Sequence, residues 1–257
     1  TIFIFNFNYK YFYFDYLKVY LKRLIMTKNF LEIKDVTFEA SKTNKVHNVS
    51  LSIENEGDII CLLGPSGIGK TTILRSIAGL TKIKSGQILL KNKVISSKEI
   101  HIEPEYRNIS LSFQDNCLFP HYNVMKNIQL GAEKNKKKKQ SISVNEIIKF
   151  LNLEKIKDKF PHQISAGEAQ RAALARSLIT KPDLLLLDEP LSNIDQSFKE
   201  EIQVKLKKIL KDSKITTIIV THDSYEAFYL GTKCGIILDG QLKPVSYTHL
   251  TLPTRLS

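Results

Sequence analysis

The junction after residue 63 limits what this chain can fold into more than any other stretch. Residues 59–63 are apolar without interruption, as a strand buried on both faces must be. Ile73, Leu74, Ile77 and Ala78 then recur at helical spacing. Between them stands Gly64-Pro65-Ser66-Gly67-Ile68-Gly69-Lys70-Thr71, followed by Thr72, which fits G-x-x-x-x-G-K-T/S. Glycines there let backbone N–H groups converge on phosphate oxygens, and the N-terminus of the following helix adds positive potential. The pattern predicts that Lys70 bridges the terminal phosphates of a nucleotide and that Thr71 places its hydroxyl on Mg2+.

The rest of the chain supplies a fold for that junction. Residues 29–55 alternate apolar and polar side chains (Leu31, Ile33, Val36, then Val49, Leu51, Ile53), as half-buried strands do. Ser85-Gly86 opens a strand at 87–90, and residues 184–187, 215–220 and 236–238 read as further buried strands. An amphipathic helix is predicted over 195–210. From Asp115 to about Ser177 the pattern turns helical, and Ser143 with Glu146 makes a capping box ahead of Ile147, Ile148 and Leu151. Strands alternating with helices predict a parallel α/β core.

Composition excludes more than it assigns. A length of 257 residues allows one large domain or two small ones, and 42% apolar with 25% charged residues is ordinary globular usage. No run of about 18 apolar residues is present to span a membrane. Cys61, Cys117 and Cys234 are far apart and form no C-x-x-C pair, which argues against a disulfide scaffold or a cysteine zinc knuckle. The net charge of +12 is weak support for nucleic acid, since Lys136, Lys137, Lys138 and Lys139 read as a solvated loop. Residues 1–25 hold ten Phe and Tyr residues with no clean period and read as a non-native extension ahead of Met26. Residues 244–257 lack the Lys/Ile/Asn bias of the chain before them and read as an adapter-derived tail, leaving 26–243 as the domain.

Asp188 closes the run 184–187, and Glu189 follows it. An acid at the end of a buried strand beside a phosphate loop is placed to hold Mg2+. The next acid is placed to orient and deprotonate an attacking water. Ser165, which opens Ser165-Ala166-Gly167-Glu168-Ala169-Gln170-Arg171, lies 23 residues before Asp188. That segment resembles the LSGGQ signature of ABC-type ATPases. Gln114 is similar to the Q-loop of that family, Ser192-Asn193-Ile194-Asp195 to its D-loop, and His222 to its switch histidine.

The resemblance implies a P-loop cassette with a mixed or parallel core sheet, an antiparallel β subdomain, and a helical subdomain near 115–177. It implies two copies paired head to tail around two ATP molecules. The phosphate loop of one would face Ser165, Ala166, Gly167 and Glu168 of the other, with Asp195 at the same boundary. Thr71, Gln114 and Asp188 would hold Mg2+, and Glu189, His222 and Gln114 would serve hydrolysis. Ala166 departs from the usual glycine and Glu168 from the usual glutamine. The adenine-stacking aromatic of the family belongs near Ala40, where Phe38 is the nearest candidate.

Phe113-Gln114-Asp115-Asn116-Cys117-Leu118-Phe119-Pro120-His121 resembles a segment of bacterial importer ATPases. Phe119, Pro120 and Tyr122 are then expected to dock a permease. Glu103-Pro104-Glu105-Tyr106-Arg107-Asn108-Ile109 looks most like the ferric-iron branch, with polyamine, sulfate and sugar importers as relatives. The implied partners are a second ATP-binding subunit, a membrane permease and an extracytoplasmic solute-binding protein. No nucleic acid is expected, and the implied location is peripheral, on the cytoplasmic face of the plasma membrane. The alternative is a soluble ABC ATPase acting on nucleic acid or ribosomes. Such ATPases usually carry a long coiled-coil insertion or two cassettes, and only 95 positions separate Lys70 from Ser165.

Overall fold

The computed structural model describes residues 29–39, 45–113, 115, 117–133, 142–238 and 240–245. The expectations for Ala40, Gln114, the lysines at 136–139 and residues 1–25 and 246–257 lie outside these residues. In chain order the elements are β1 (Leu31–Glu39), β2 (Lys45–Ile53), β3 (Ile59–Leu63), α1 (Lys70–Ala78), β4 (Ser85–Leu90), β5 (Lys93–Ser96) and β6 (Ile109–Ser112). There follow α2 (Val124–Glu133), α3 (Val144–Phe150), α4 (Ala166–Ile179), β7 (Leu184–Asp188), α5 (Gln196–Asp212), β8 (Thr216–Thr221), α6 (Ser224–Leu230), β9 (Lys233–Leu238) and β10 (Gln241–Val245).

The central sheet has the order β10-β9-β3-β8-β7-β6. Its neighbours from β9 to β6 are parallel, and β10 returns antiparallel along β9, so the sheet is mixed. β3, β7 and β8 are buried at every position, and a sheet of such strands needs cover on both faces. One face packs against α1 and the antiparallel sheet β2-β1-β4-β5; the other packs against α2 to α6. Successive residues of one strand feed the two cores alternately: Cys61 and Leu63 join the helical side, while Ile60 and Leu62 join the side of α1. β3 thus anchors the loop at its end from both directions. The same ladder makes Cys61 and Cys234 register partners on β3 and β9, both buried.

Three features differ from what the sequence pattern suggests. Phe38 is fully buried against the antiparallel sheet, so it belongs to the core and cannot stack on a base. Helix after residue 115 starts only at Val124, and the segment before it is a loop. β6 is an edge strand in which Ile109 and Leu111 alternate with Ser110 and Ser112, too short and too polar for the apolar pattern to single out. Just before β6, buried Arg107 donates to the carbonyls of Ser76 and Ile77 at 3.0 and 2.9 Å and to Ser96 Oγ at 2.9 Å. It therefore satisfies the last carbonyls of α1 and ties that helix to β5. Burial pulls its guanidinium down to about 10.

Candidate active site

The loop after β3 enters α1 through Gly69, whose φ of 108° places it in a left-handed conformation that a side chain would strain. The loop then surrounds a hollow of about 270 Å3 lined by Ser66, Gly67, Gly69, Lys70, Thr71, Thr72 and Glu189. Lys70 is buried and donates from Nζ to the carbonyls of Gly64 and Pro65 at 2.6 and 3.0 Å. Burial pulls its ammonium below the ordinary lysine value, against the opposing pull of Glu189 and Asp188. Gly64, Pro65 and Ile68 complete the turn without lining the hollow.

Asp188 ends β7 beside this loop and is 4% exposed. Burial pushes its carboxyl above the ordinary range, a hydrogen bond from the Thr71 side chain pulls it back, and Glu189 and Asp115 push it up again. A buried carboxylate facing a hydroxyl, with further acid nearby, is relieved by a divalent cation. Among the described residues no three His, Cys, Asp or Glu side chains converge as a metal cluster. The Thr71 hydroxyl paired with the Asp188 carboxylate is an oxygen donor set of the kind that suits Mg2+, which keeps water and substrate oxygens in its shell.

Glu189 carries the sharpest geometry of the site. Its φ is +47°, a left-handed conformation that costs a bulky residue roughly 1–3 kcal/mol. The turn is held from all sides. The Glu189 N–H donates to Val220 O at 2.9 Å, and the Glu189 carbonyl accepts from Gln170 Nε2 at 2.9 Å and Ser192 Oγ at 3.1 Å. This backbone turn points the side chain at two partners: Oε2 accepts from His222 Nδ1 at 3.0 Å, and Oε1 lies 4.0 Å from Lys70 Nζ. His222 follows β8 and has a half-exposed ring. Lys70, Thr71, Asp188, Glu189 and His222 are therefore gathered at one place, with Asp115 near enough to act on Asp188.

Ser165, Ala166, Gly167 and Glu168 of the signature segment do not line that hollow. Ser165 caps α4, accepting from Glu168 N at 3.2 Å, while Ser165 N donates to Glu168 Oε2 at 2.8 Å. The two residues form a capping box, which gives Glu168 a structural use that glutamine could share. Ala166 opens the helix and is exposed. Gly167 is required for a different reason: a Cβ there would stand 2.7 Å from Asn193 O. Gln170 reinforces this contact, accepting from Asn193 N at 2.9 Å while donating to Glu189 O. Gln170 is a site residue that spacing alone does not reveal, because its partners lie in a turn rather than at a helical or strand period. Asp195 caps α5 without a side-chain capping bond.

The loop that precedes α2 exposes Phe119, Pro120 and His121, with Tyr122 half buried. It is built on buried Asn127, which accepts from Phe119 N at 2.8 Å and donates to Phe119 O and Tyr122 O at 3.2 and 3.0 Å. Arg176 of α4 reaches the same loop, donating to Cys117 O at 2.9 Å and lying 5.2 Å from the Phe119 ring centroid. A larger hollow of about 580 Å3 between α3 and α5 includes Phe150, Lys205 and Ile209 in its lining, but none of the residues above.

Residues 46–192 match the family model described as ABC transporter. The Fe(3+) ions import ATP-binding protein FbpC of Fusobacterium nucleatum subsp. nucleatum is 39% identical over 200 residues, covering 77% of this chain and 53% of that protein. The spermidine/putrescine import ATP-binding protein PotA of Chromobacterium violaceum is 40% identical over 215 residues, covering 83% of this chain and 58% of that protein. This chain thus spans little more than half the length of those relatives. Among solved structures, an ATP-binding cassette in a dimeric post-hydrolysis state bound to ADP and Pi superposes with a TM-score of 0.70 at 27% identity, over 84% of this chain and 99% of that one. On the phosphate-loop fold, the matched span and these identities, the chain belongs to the ABC transporter family.

Proposed function

We propose that this chain hydrolyses ATP as the motor subunit of a bacterial importer, working as a head-to-tail dimer beneath a separate permease. The observation that carries the catalytic part is Glu189, held in a left-handed turn with His222 Nδ1 at 3.0 Å and Lys70 Nζ at 4.0 Å. In this reading the loop N–H groups and Lys70 bind the phosphates, and the Glu189 carboxylate orients water and accepts its proton. His222 keeps that carboxylate in place. Thr71 and Asp188 would hold Mg2+, joined by Gln114 as the resemblance implies; the ion, when bound, neutralises charge on the phosphate oxygens. Ser165, Ala166, Gly167 and Glu168 serve the hollow of a second copy, which fits their absence from its lining in their own chain.

Identities of 39% and 40% to import ATP-binding proteins support transport. Ferric iron is the preferred cargo on the stretch from Glu103 to Ile109, with polyamines as the second reading. An extracytoplasmic binding protein and a position at the cytoplasmic membrane face belong to the same proposal. The test is Glu189→Gln. With ATP and Mg2+ the variant should lose turnover by at least about 10²-fold and run as a dimer in size-exclusion chromatography. A variant that hydrolyses ATP normally, or stays monomeric with ATP bound, counts against the scheme.

A further inference from the structure

Directly after His222 in the chain lies an ion cluster that does not line the phosphate hollow. Lys199, in the first turn of α5, donates from Nζ to Asp223 Oδ2 at 2.6 Å and stands 3.6 Å from Glu226 Oε2. Its side chain is 14% exposed, and that of Glu226 is 2% exposed. Both acids belong to the turn and helix that follow the histidine. Asp223 caps α6 by accepting from Tyr225 N and Glu226 N at 2.9 and 3.2 Å, and its own N–H donates to Thr221 Oγ1 at 3.1 Å. His222 is therefore suspended between the end of β8 and a cap that Lys199 grips.

The other end of this grip leads back to the signature segment. α5 starts after Asp195, two residues beyond Asn193, whose N–H is fixed by Gln170 and whose carbonyl leaves no room for a Cβ at Gly167. One lysine thus joins the helix that follows the Asn193 turn to the turn that aims His222. Two acids share that cation. Burial pushes Glu226 up to about 7, with Lys199 pulling it down and Asp223 pushing it up. Burial pulls Lys199 down, but Asp223 and Glu226 outweigh it and hold the ammonium above its ordinary value. Thr221 of β8 faces Glu226 as well, and Cys61 of β3 lies within its electrostatic reach. Without the lysine, two neighbouring acids would be left uncompensated in a poorly hydrated place, and the cap would have to move.

We infer that Lys199 is a positioning residue whose ion pairs with Asp223 and Glu226 lock α6 to α5 and hold His222 Nδ1 against the Glu189 carboxylate. The inference rests on the ATPase reading above. It makes a split prediction, because Lys199, Asp223 and Glu226 are not among the residues that line the phosphate hollow. Lys199→Met should lower kcat for ATP by about 10²-fold, the usual penalty for a displacement of about 1 Å at a reacting group, with KM within twofold of the parent. Lys199→Arg, which keeps the charge and its donors, should restore kcat.

The second readout does not depend on turnover. In protein labelled with 15N-histidine, the His222 signals are those missing from His222→Gln. Lys199→Met should shift the Nδ1 resonance toward that of a free imidazole, and Lys199→Arg should leave it at the parent position. An unmoved Nδ1 resonance overturns the inference, as does an unchanged kcat in an active background, or a KM that rises in step with the fall in kcat. A parent protein that hydrolyses no ATP removes the functional reading instead, and the Nδ1 resonance still decides whether Lys199 positions His222.

Discussion

At the scale of single residues, the contacts that matter most are between backbone and side chain across turns. Gly167 shows how tightly they are set. Alanine is favoured over glycine in a helix by about 1 kcal/mol, yet a Cβ at 167 would meet Asn193 O at 2.7 Å, and overpacking of that kind costs typically 1–3 kcal/mol. The clash wins. Gly167→Ala should lower the melting temperature by several degrees and reduce ATP turnover at least tenfold, since Asn193 and Glu189 share Gln170; an alanine variant as stable and active as its parent would show that the turn yields freely. The places of Asp188 and Glu189 at a strand end and of Lys70 at a strand–loop–helix junction are legible in the residues themselves, and that of His222 only through the resemblance; the structure brings the four together. Gln170 and the use of Gly167 were not legible, because a side chain that reaches into a turn leaves no period to read. The capping box of Ser165 with Glu168 was legible in principle, by the same S-x-x-E rule that identified Ser143 with Glu146.

At the scale of elements, legibility followed burial. β3, β7 and β8 are buried throughout; β3 and β7 announce themselves as apolar runs and β8 as a β-branched one, while edge strand β6 mixes serines with its apolar residues and does not. α6 is the element whose stability should depend most on pH. Glu226, in its first turn, is raised from an ordinary 4.5 to about 7, chiefly by burial. A carboxyl with a raised folded pKa binds its proton more tightly in the native state, so the stability it contributes is fully present below about 4.5 and is lost as pH rises through about 7. Glu226→Gln removes that titration. Between pH 5 and pH 8 the parent should lose more in melting temperature than the variant does, and parallel curves would show that Glu226 ionises without penalty. Lys199 works in the same window, because it gains a second full partner only as Glu226 ionises.

At the scale of the whole molecule, the mixed sheet divides one core into two, and β3 is the strand that both cores hold. The phosphate loop is thereby rooted in a strand buried on both faces, while the signature segment is carried by the helices on one face. The sequence pattern anticipated this division of strands and helices, but not which strands would be neighbours, since spatial order is set by pairing across long separations. Cys61 and Cys234 expose that difference. Remote in sequence, they face each other on β3 and β9, shut away from solvent, whereas Cys117 is exposed. A thiol reagent added to the native protein should therefore consume one sulfur at once and the other two slowly, both at a single rate, because one parting of β3 from β9 admits the reagent to both. Two different slow rates would mean that each strand frays by itself. The paired sulfurs act as a clock for the centre of the fold, and it runs only when the root of the phosphate loop lets go.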